Sequence, residues 1–210
     1  MSIKLYYAPG VCSLSPHIVL NEANIPYTLE KVNLKTKETE TGRNYFQISE
    51  KGSVPAIELE DGNLLTEGPA IVQYLADQAP GAQLAPPNGT MERARLQEWL
   101  NYISTELHKG HGPLFHADKA GEQAKAYYLE QLKNKYTWLD GKLAERDYLM
   151  GSQFSVADAY LFTVLRWLSN FNVDLNTWPH LAAYQARIAA RPAVQRAMAA
   201  EGLLDQQAAA

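Results

Sequence analysis

Residues 78–89 carry three prolines (Pro80, Pro86, Pro87) and two glycines (Gly81, Gly89). Proline removes a backbone donor and glycine leaves the backbone unrestrained, so neither a helix nor a sheet strand runs through such a stretch. The chain is therefore divided there, into a domain at residues 1–78, a linker at 79–89 and a second domain at 90–210. The hydrophobic period differs on the two sides.

Upstream, Ile3, Lys4, Leu5, Tyr6 and Tyr7 alternate as a strand with one buried face, and Pro9 and Gly10 stop it. Residues 17–23 read as a helix with Ile18, Val19 and Leu20 on its apolar side, and residues 27–34 return to β-type composition. The βαβ unit so formed takes a right-handed crossover. After a polar loop at 33–43 comes a short helical piece around residues 45–48. Two apolar runs, 56–59 and 64–65, flank Glu60-Asp61-Gly62-Asn63, which predicts a hairpin. Residues 66–77 predict a helix that tolerates Pro69 in its first turn, with Ala70, Ile71, Tyr74 and Leu75 turned inward. The order is βαβαββα.

Downstream no strand is predicted. Leu96, Leu100, Ile103 and Leu107 recur at helical spacing, and residues 127–143, 156–171 and 178–190 do the same, so the second domain reads as all helix. Residues 206–210 have little to bury. The fold class is thus α/β followed by all-α.

With 210 residues, 46% hydrophobic, the chain can bury a sizeable core. Its 19 basic and 23 acidic side chains leave a net charge of -4, which gives no footprint for nucleic acid or an acidic membrane surface. The single cysteine, Cys12, excludes an intrachain disulfide and a cysteine-based metal cluster, and fits a reducing compartment. No apolar run approaches the ~18 residues of a membrane span. The expectation is a soluble cytoplasmic protein without a metal site.

Cys12 follows a strand and a Pro-Gly pair and stands at or just before the first turn of a helix. The unpaired N–H groups and dipole of that terminus favour a thiolate, so the thiol is expected to titrate below the ordinary ~8.5. Pro55, in Gly52-Ser53-Val54-Pro55, marks a strand start or an edge, because proline cannot donate to a ladder. A cis Val54-Pro55 bond would turn Val54 outward and leave its backbone N–H and C=O to pair with an extended peptide. Glu67, in Thr66-Glu67-Gly68, is either a plain capping charge or the acceptor of a ligand ammonium, beside N–H groups suited to a carboxylate. On an α-helix Asn101, Thr105 and His108 fall within a ~60° sector beside the leucine row. Such a stripe ordinarily faces water, but an imidazole there can also bond a thiol or carboxylate. Ser155 and Asp158, in Phe154-Ser155-Val156-Ala157-Asp158, form a capping box whose role is structural.

Taken in order, these segments resemble the cytosolic glutathione S-transferases, and among them the bacterial beta class. The likeness runs from Lys4-Leu5-Tyr6-Tyr7-Ala8-Pro9-Gly10-Val11-Cys12-Ser13-Leu14-Ser15-Pro16-His17 to Arg191-Pro192-Ala193-Val194. Between them Val54-Pro55, Leu65-Thr66-Glu67-Gly68, Glu98-Trp99-Leu100-Asn101, Thr105-Glu106-Leu107-His108-Lys109 and residues 154–160 match family segments.

The resemblance implies a thioredoxin-like βαβαββα domain followed by a helical domain that carries an electrophile pocket. It implies glutathione as co-substrate, hydrophobic electrophilic small molecules as second substrates, and a homodimer. Cys12 would contact the glutathione sulfur and form a mixed disulfide with it. Val54 would pair with the cysteinyl backbone next to Pro55, and Glu67 and Gly68 would hold the γ-glutamyl end. Lys37, Asn101, Thr105 and His108 would complete the site, His108 with Cys12 as the catalytic pair. Tyr6, Tyr7 and Ser13 are alternative thiolate-stabilising hydroxyls. The chain departs from many members at Ser49-Glu50, where they carry Asn-Pro, and at Gly68, where they carry serine. The implied activity is conjugation of glutathione to electrophiles. Thiol–disulfide exchange through Cys12 and non-catalytic ligand binding are the alternatives.

Overall fold

The computed structural model describes residues 3–204. Packing divides the chain into two compact units: residues up to Ala85 together with those from Ala189 onward, and Pro86–Ile188.

In the first unit β1 (Ile3–Tyr7), α1 (Leu14–Glu22) and β2 (Tyr27–Asn33) form the expected βαβ unit, with β1 and β2 parallel and Ile3 opposite Tyr27. β3 (Glu38–Thr39), β4 (Ala56–Glu58), β5 (Leu64–Thr66) and α2 (Gly68–Gln78) follow. The sheet order is β3-β2-β1-β4-β5, with β4 antiparallel to both β1 and β5. The β4–β5 hairpin turns where Asp61-Gly62 predicts it, Gly62 taking φ 81° and donating its N–H to the Leu59 carbonyl at 2.9 Å. Two elements differ from expectation. β3, two residues long and polar, is an added edge strand. The helical piece near residue 45 is a single 3₁₀ turn, Tyr45–Gln47, opened by the Asn44 side chain accepting the Phe46 N–H at 3.0 Å. A helix ladder needs more residues than the three that stand between the turn's start and Ile48.

α1 begins at Leu14, three residues before the periodicity signals it, and every residue from Leu14 to Asn21 is buried. A helix packed all round has no polar stripe to announce its ends.

The second unit is helical. It contains α3 (Met91–Tyr102), a π-helical turn at Ile103–His108, a 3₁₀ turn at Lys109–His111, α4 (Gly112–Phe115), α5 (Ala117–Ala120), α6 (Glu122–Leu143), α7 (Val156–Leu165), a 3₁₀ segment at Arg166–Phe171 and α8 (Pro179–Ala189). α7 is buried at all ten positions and forms the axis of this unit's core. Its box is made as the sequence predicts: Asp158 accepts the Ser155 N–H at 2.8 Å, within a reciprocal cap.

α9 (Pro192–Ala200) closes the described chain and packs on α1. The sequence-drawn domain runs to residue 210, whereas the packing unit hands everything from Ala189 onward to the sheet. The cause lies in long-range polar contacts: Arg191 donates to both Glu22 carboxylate oxygens at 2.6 and 2.9 Å, and Glu201 meets His17 at 2.8 Å. The expectation for residues 206–210 lies outside the described residues. No helix among the described residues is long and apolar enough to cross a membrane.

Candidate functional site

The loop after β1 places Cys12 two residues before α1, where the Ser15 N–H and Oγ donate to its carbonyl at 3.2 and 3.0 Å. Its thiol is partly exposed and donates to the Val54 carbonyl at 3.2 Å. A carbonyl only accepts, so the thiol is the donor in that bond.

Val54-Pro55 is cis. Pro55 stands immediately before β4, an internal strand, so it marks a strand start and not an edge. Val54 does not turn its side chain outward. Its side chain is buried among Tyr6, Ala8, Val32, Tyr45 and Ala56, and its carbonyl is already engaged by the Cys12 thiol.

Lys37 approaches the same segment, its ammonium donating to the Gly52 carbonyl at 2.7 Å. Gly52 has φ 58°, and a Cβ there would stand 2.5 Å from the half-exposed Phe46 ring, so any side chain would strain the backbone and displace that ring. Glu67 caps α2 at φ 70°, a left-handed conformation that a non-glycine residue holds at some cost. Its carboxylate takes the Lys51 ammonium at 2.6 Å, which is the chemistry expected of a ligand ammonium at that place. Lys51 was not singled out in the sequence, although its position just before Gly52-Ser53-Val54-Pro55 was a usable signal. A Cβ on Gly68 would meet only Pro55 Cγ, at 3.8 Å, so the missing serine is not excluded by space.

Cys12, Lys37, Val54, Pro55, Glu67 and Gly68 are thus carried by one unit, and the Cys12, Lys37 and Val54 side chains or backbones meet around the loop before β4.

In the second unit the three polar residues of the predicted stripe do not share one face. The change from α to π winding after Tyr102 turns the chain less per residue, so His108 leaves the Asn101–Thr105 side. Asn101 and Thr105 are exposed, with Thr105 Oγ1 donating to the Asn101 carbonyl at 3.0 Å. His108 packs inward: Nδ1 lies 2.6 Å from the Tyr160 hydroxyl, and the ring stands edge-on to Trp167 with centroids 4.8 Å apart. Burial, with Lys109 and His111 nearby, pushes its pKa down to about 4. His111 is pushed down to about 4 as well, mainly by burial. Its Nδ1 donates to the Leu107 carbonyl at 2.8 Å, and Phe115, Trp167 and Phe171 surround it. Tyr160, read in the sequence only as the end of the capping motif, was missed as a partner of His108.

Among the described residues no group of three or more His, Cys, Asp or Glu could hold a metal ion.

Residues 11–78 match the family description "Glutathione S-transferase, N-terminal domain" and residues 102–192 match "Glutathione S-transferase, C-terminal domain". A two-unit chain with a mixed thioredoxin-like sheet, a helical partner and a cysteine at the start of the first helix belongs to the glutathione S-transferase family, on its bacterial beta-class branch. Glutathione S-transferase GstA of Escherichia coli O157:H7 is 48% identical over 201 residues, spanning 96% of this chain and 100% of that protein. The solved beta-class glutathione S-transferase of Sphingomonas chungbukensis is 44% identical, covers 96% of this chain and 100% of its own, and superposes with a TM-score of 0.92. A sphingomonad glutathione S-transferase complexed with glutathione is also 44% identical, with 95% and 99% covered and a TM-score of 0.92.

Proposed function

We propose that this protein binds glutathione and directs its thiolate to electrophilic carbon, a detoxifying conjugation, as a cytoplasmic homodimer. The domain at residues 1–78 binds glutathione, and the helical domain carries the pocket for hydrophobic electrophiles. The observation that carries the reading is the meeting of the Cys12 thiol and the Val54 carbonyl at 3.2 Å, which puts a sulfur beside backbone suited to an extended peptide. Val54 pairs with the cysteinyl backbone, Glu67 and the Gly68 N–H hold the γ-glutamyl end, and Lys37, Asn101 and Thr105 complete the contacts. Cys12 acts at the reacting sulfur, and the family resemblance, rather than the inward packing of the ring, supports the reading of His108 as its catalytic partner. The glutathione thiolate attacks the electrophilic carbon, a C–S bond forms, and the leaving group departs with the bonding pair. Holding both reactants in place supplies much of the acceleration.

Exchange through Cys12 is a second reading, favoured by the partial exposure of the only cysteine in the chain. In it the Cys12 thiolate attacks one sulfur of oxidised glutathione, forming a mixed disulfide and releasing a glutathione thiolate.

Retention on immobilised glutathione, followed by assays with an aryl halide, a peroxide and a mixed disulfide, tests both. Retention with aryl-halide turnover is expected; loss of both overturns the conjugation reading. Intact mass after oxidised glutathione should show one reducible adduct on the wild type and none on Cys12→Ala. An unmodified wild type overturns the exchange reading.

A further inference from the structure

Asn88-Gly89 is the only Asn-Gly pair in the chain, and it lies in the turn that leads into α3. A side chain on the residue after an asparagine screens the backbone nitrogen behind it, and glycine has none. Both residues are exposed, Gly89 takes φ 82°, and nothing lies within 4 Å of where a Cβ would stand on it. Among the described residues the Gly89 N–H has no hydrogen-bond acceptor, so no bond restrains its nitrogen from the Asn88 side chain. The two Asp-Gly pairs are placed otherwise. The Gly62 N–H donates to the Leu59 carbonyl at 2.9 Å, while both Asp61 carboxylate oxygens accept from Asn63, at 3.0 and 2.7 Å. Gly141 lies inside α6, where its N–H belongs to the helix ladder, and Asp140 accepts the Leu181 N–H at 2.9 Å.

We infer that Asn88 is a site of spontaneous deamidation, with isoaspartate as its main product, and that this product loosens the start of α3. The Gly89 nitrogen gives its proton to solvent and attacks Asn88 Cγ. A C–N bond forms, the Nδ2 group takes up a proton and leaves as ammonia, and a five-membered succinimide remains. Water then opens the ring at either carbonyl. Attack at Cγ restores the ordinary chain with an aspartate side chain. Attack at the backbone carbonyl breaks its bond to the Gly89 nitrogen, and the chain then runs through Cγ, one methylene longer. The turn is where that methylene acts. The Pro87 carbonyl accepts the Thr90 N–H at 3.4 Å and the Thr90 hydroxyl at 2.7 Å, and Thr90 Oγ1 accepts the Arg93 N–H at 3.2 Å as the cap of α3. Asn88 and Gly89 are the two residues inside that closure. A longer backbone there moves Pro87 away from Thr90. A plain aspartate only adds a negative charge before a helix N-terminus, which the helix dipole favours.

The test incubates the full-length wild type in mildly alkaline buffer and follows intact mass, together with peptide maps that resolve isoaspartate from aspartate. Residue 88 should convert before any other asparagine, mostly to isoaspartate, at a rate within about 10-fold of that in the urea-unfolded chain. Asn88→Gln should show neither the released ammonia nor the mass gain, because its longer side chain would have to close a six-membered ring. Conversion of another asparagine while Asn88 stays intact overturns the site, and so does a folded rate far more than 10-fold below the unfolded one. The effect on α3 is read against Asn88→Asp, which carries the charge without the extra methylene. Fresh Asn88→Asp should match or exceed the urea midpoint of fresh wild type. Aged wild type should unfold at lower urea than Asn88→Asp and than Asn88→Gln aged alongside it. Equal midpoints for the converted wild type and Asn88→Asp overturn the loosening of the helix start.

Discussion

His108 and His111 carry the acid sensitivity of the helical unit, because each imidazole is held near 4 by burial against an ordinary value near 6.5. Around them stand Lys109, the Tyr160 and Tyr136 hydroxyls and the aromatic rings of Phe115, Trp167 and Phe171, and no carboxylate is among the groups that shift either one. Between pH 6.5 and 4 the unfolded chain binds protons that the folded one refuses, so unfolding takes up protons and stability falls as pH falls. The stabilisation is fully present above pH 6.5 and is lost progressively toward pH 4, by up to ~3 kcal/mol per histidine. Urea midpoints at pH 7.5, 6.5, 5.5 and 5 should therefore decline for the wild type. They should decline less for a His108→Gln, His111→Gln double variant. A wild-type midpoint that is flat over this range would show that the imidazoles protonate without cost. Above pH 5 Glu30 and Glu106, which the fold holds below their usual range, remain ionised, while Asp158, pushed up by burial, works against the decline, so the comparison with the double histidine variant isolates the imidazoles.

At the scale of elements, α7 depends on one carboxylate. Asp158 is fully buried and accepts from the Leu149 N–H, the Ser155 N–H, the Ser155 hydroxyl and the Tyr184 hydroxyl at 2.8 to 2.9 Å. Burial pushes its carboxyl up from the usual range, and the four donors pull against that shift. Removing it in Asp158→Ala leaves several buried donors unsatisfied, each worth ~1 to 3 kcal/mol, whereas Ser155→Ala removes a cap worth ~1 kcal/mol. Urea unfolding should rank Asp158→Ala well below Ser155→Ala, and equal midpoints would reduce the carboxylate to a plain cap. This box was legible in the sequence because its partners stand three residues apart. So were the β4–β5 hairpin, with its Asp-Gly turn, and α2, with Pro69 near its start. The π turn at Ile103–His108 was not, since Leu96, Leu100, Ile103 and Leu107 keep a helical spacing through it, and all four are buried. The face shared by Asn101, Thr105 and His108 was lost for the same reason. Tyr160 stands 52 residues from His108 and Val54 stands 42 from Cys12, and a periodicity argument carries no information at such separations. The resemblance set Cys12 and Val54 beside the same bound peptide, and their direct contact emerges only in the fold.

Across the whole chain, residues far apart in sequence fix the loop that carries the thiol. Glu201, just beyond α9, has a side chain fully shielded from solvent. One of its oxygens meets His17 Nδ1 at 2.8 Å and the other accepts the Gly10 N–H at 2.9 Å. His17 Nε2 lies 2.9 Å from the Tyr27 hydroxyl, to which Asn21 also donates at 2.8 Å, so the network runs from β2 through α1 to the C-terminal segment. Gly10 itself takes φ 71°, a left-handed turn that only glycine enters freely, and a Cβ there would press on Leu203 at 3.4 Å. Glu201 thus accepts from the backbone two residues before Cys12. Glu201→Ala removes an acceptor of the part-buried Gly10 N–H and the partner of the buried His17, the latter at ~1 to 3 kcal/mol. Glu201→Gln keeps a carbonyl oxygen for one of the two and should lose less. Beyond the lower urea midpoint, hydrogen exchange at the Gly10 amide should quicken in both variants, and alkylation of Cys12 should quicken with it as the loop loosens. A Glu201→Ala protein within ~0.5 kcal/mol of the wild type, with the Gly10 amide still protected, would show that the loop is held by its glycine turn and by α1 alone.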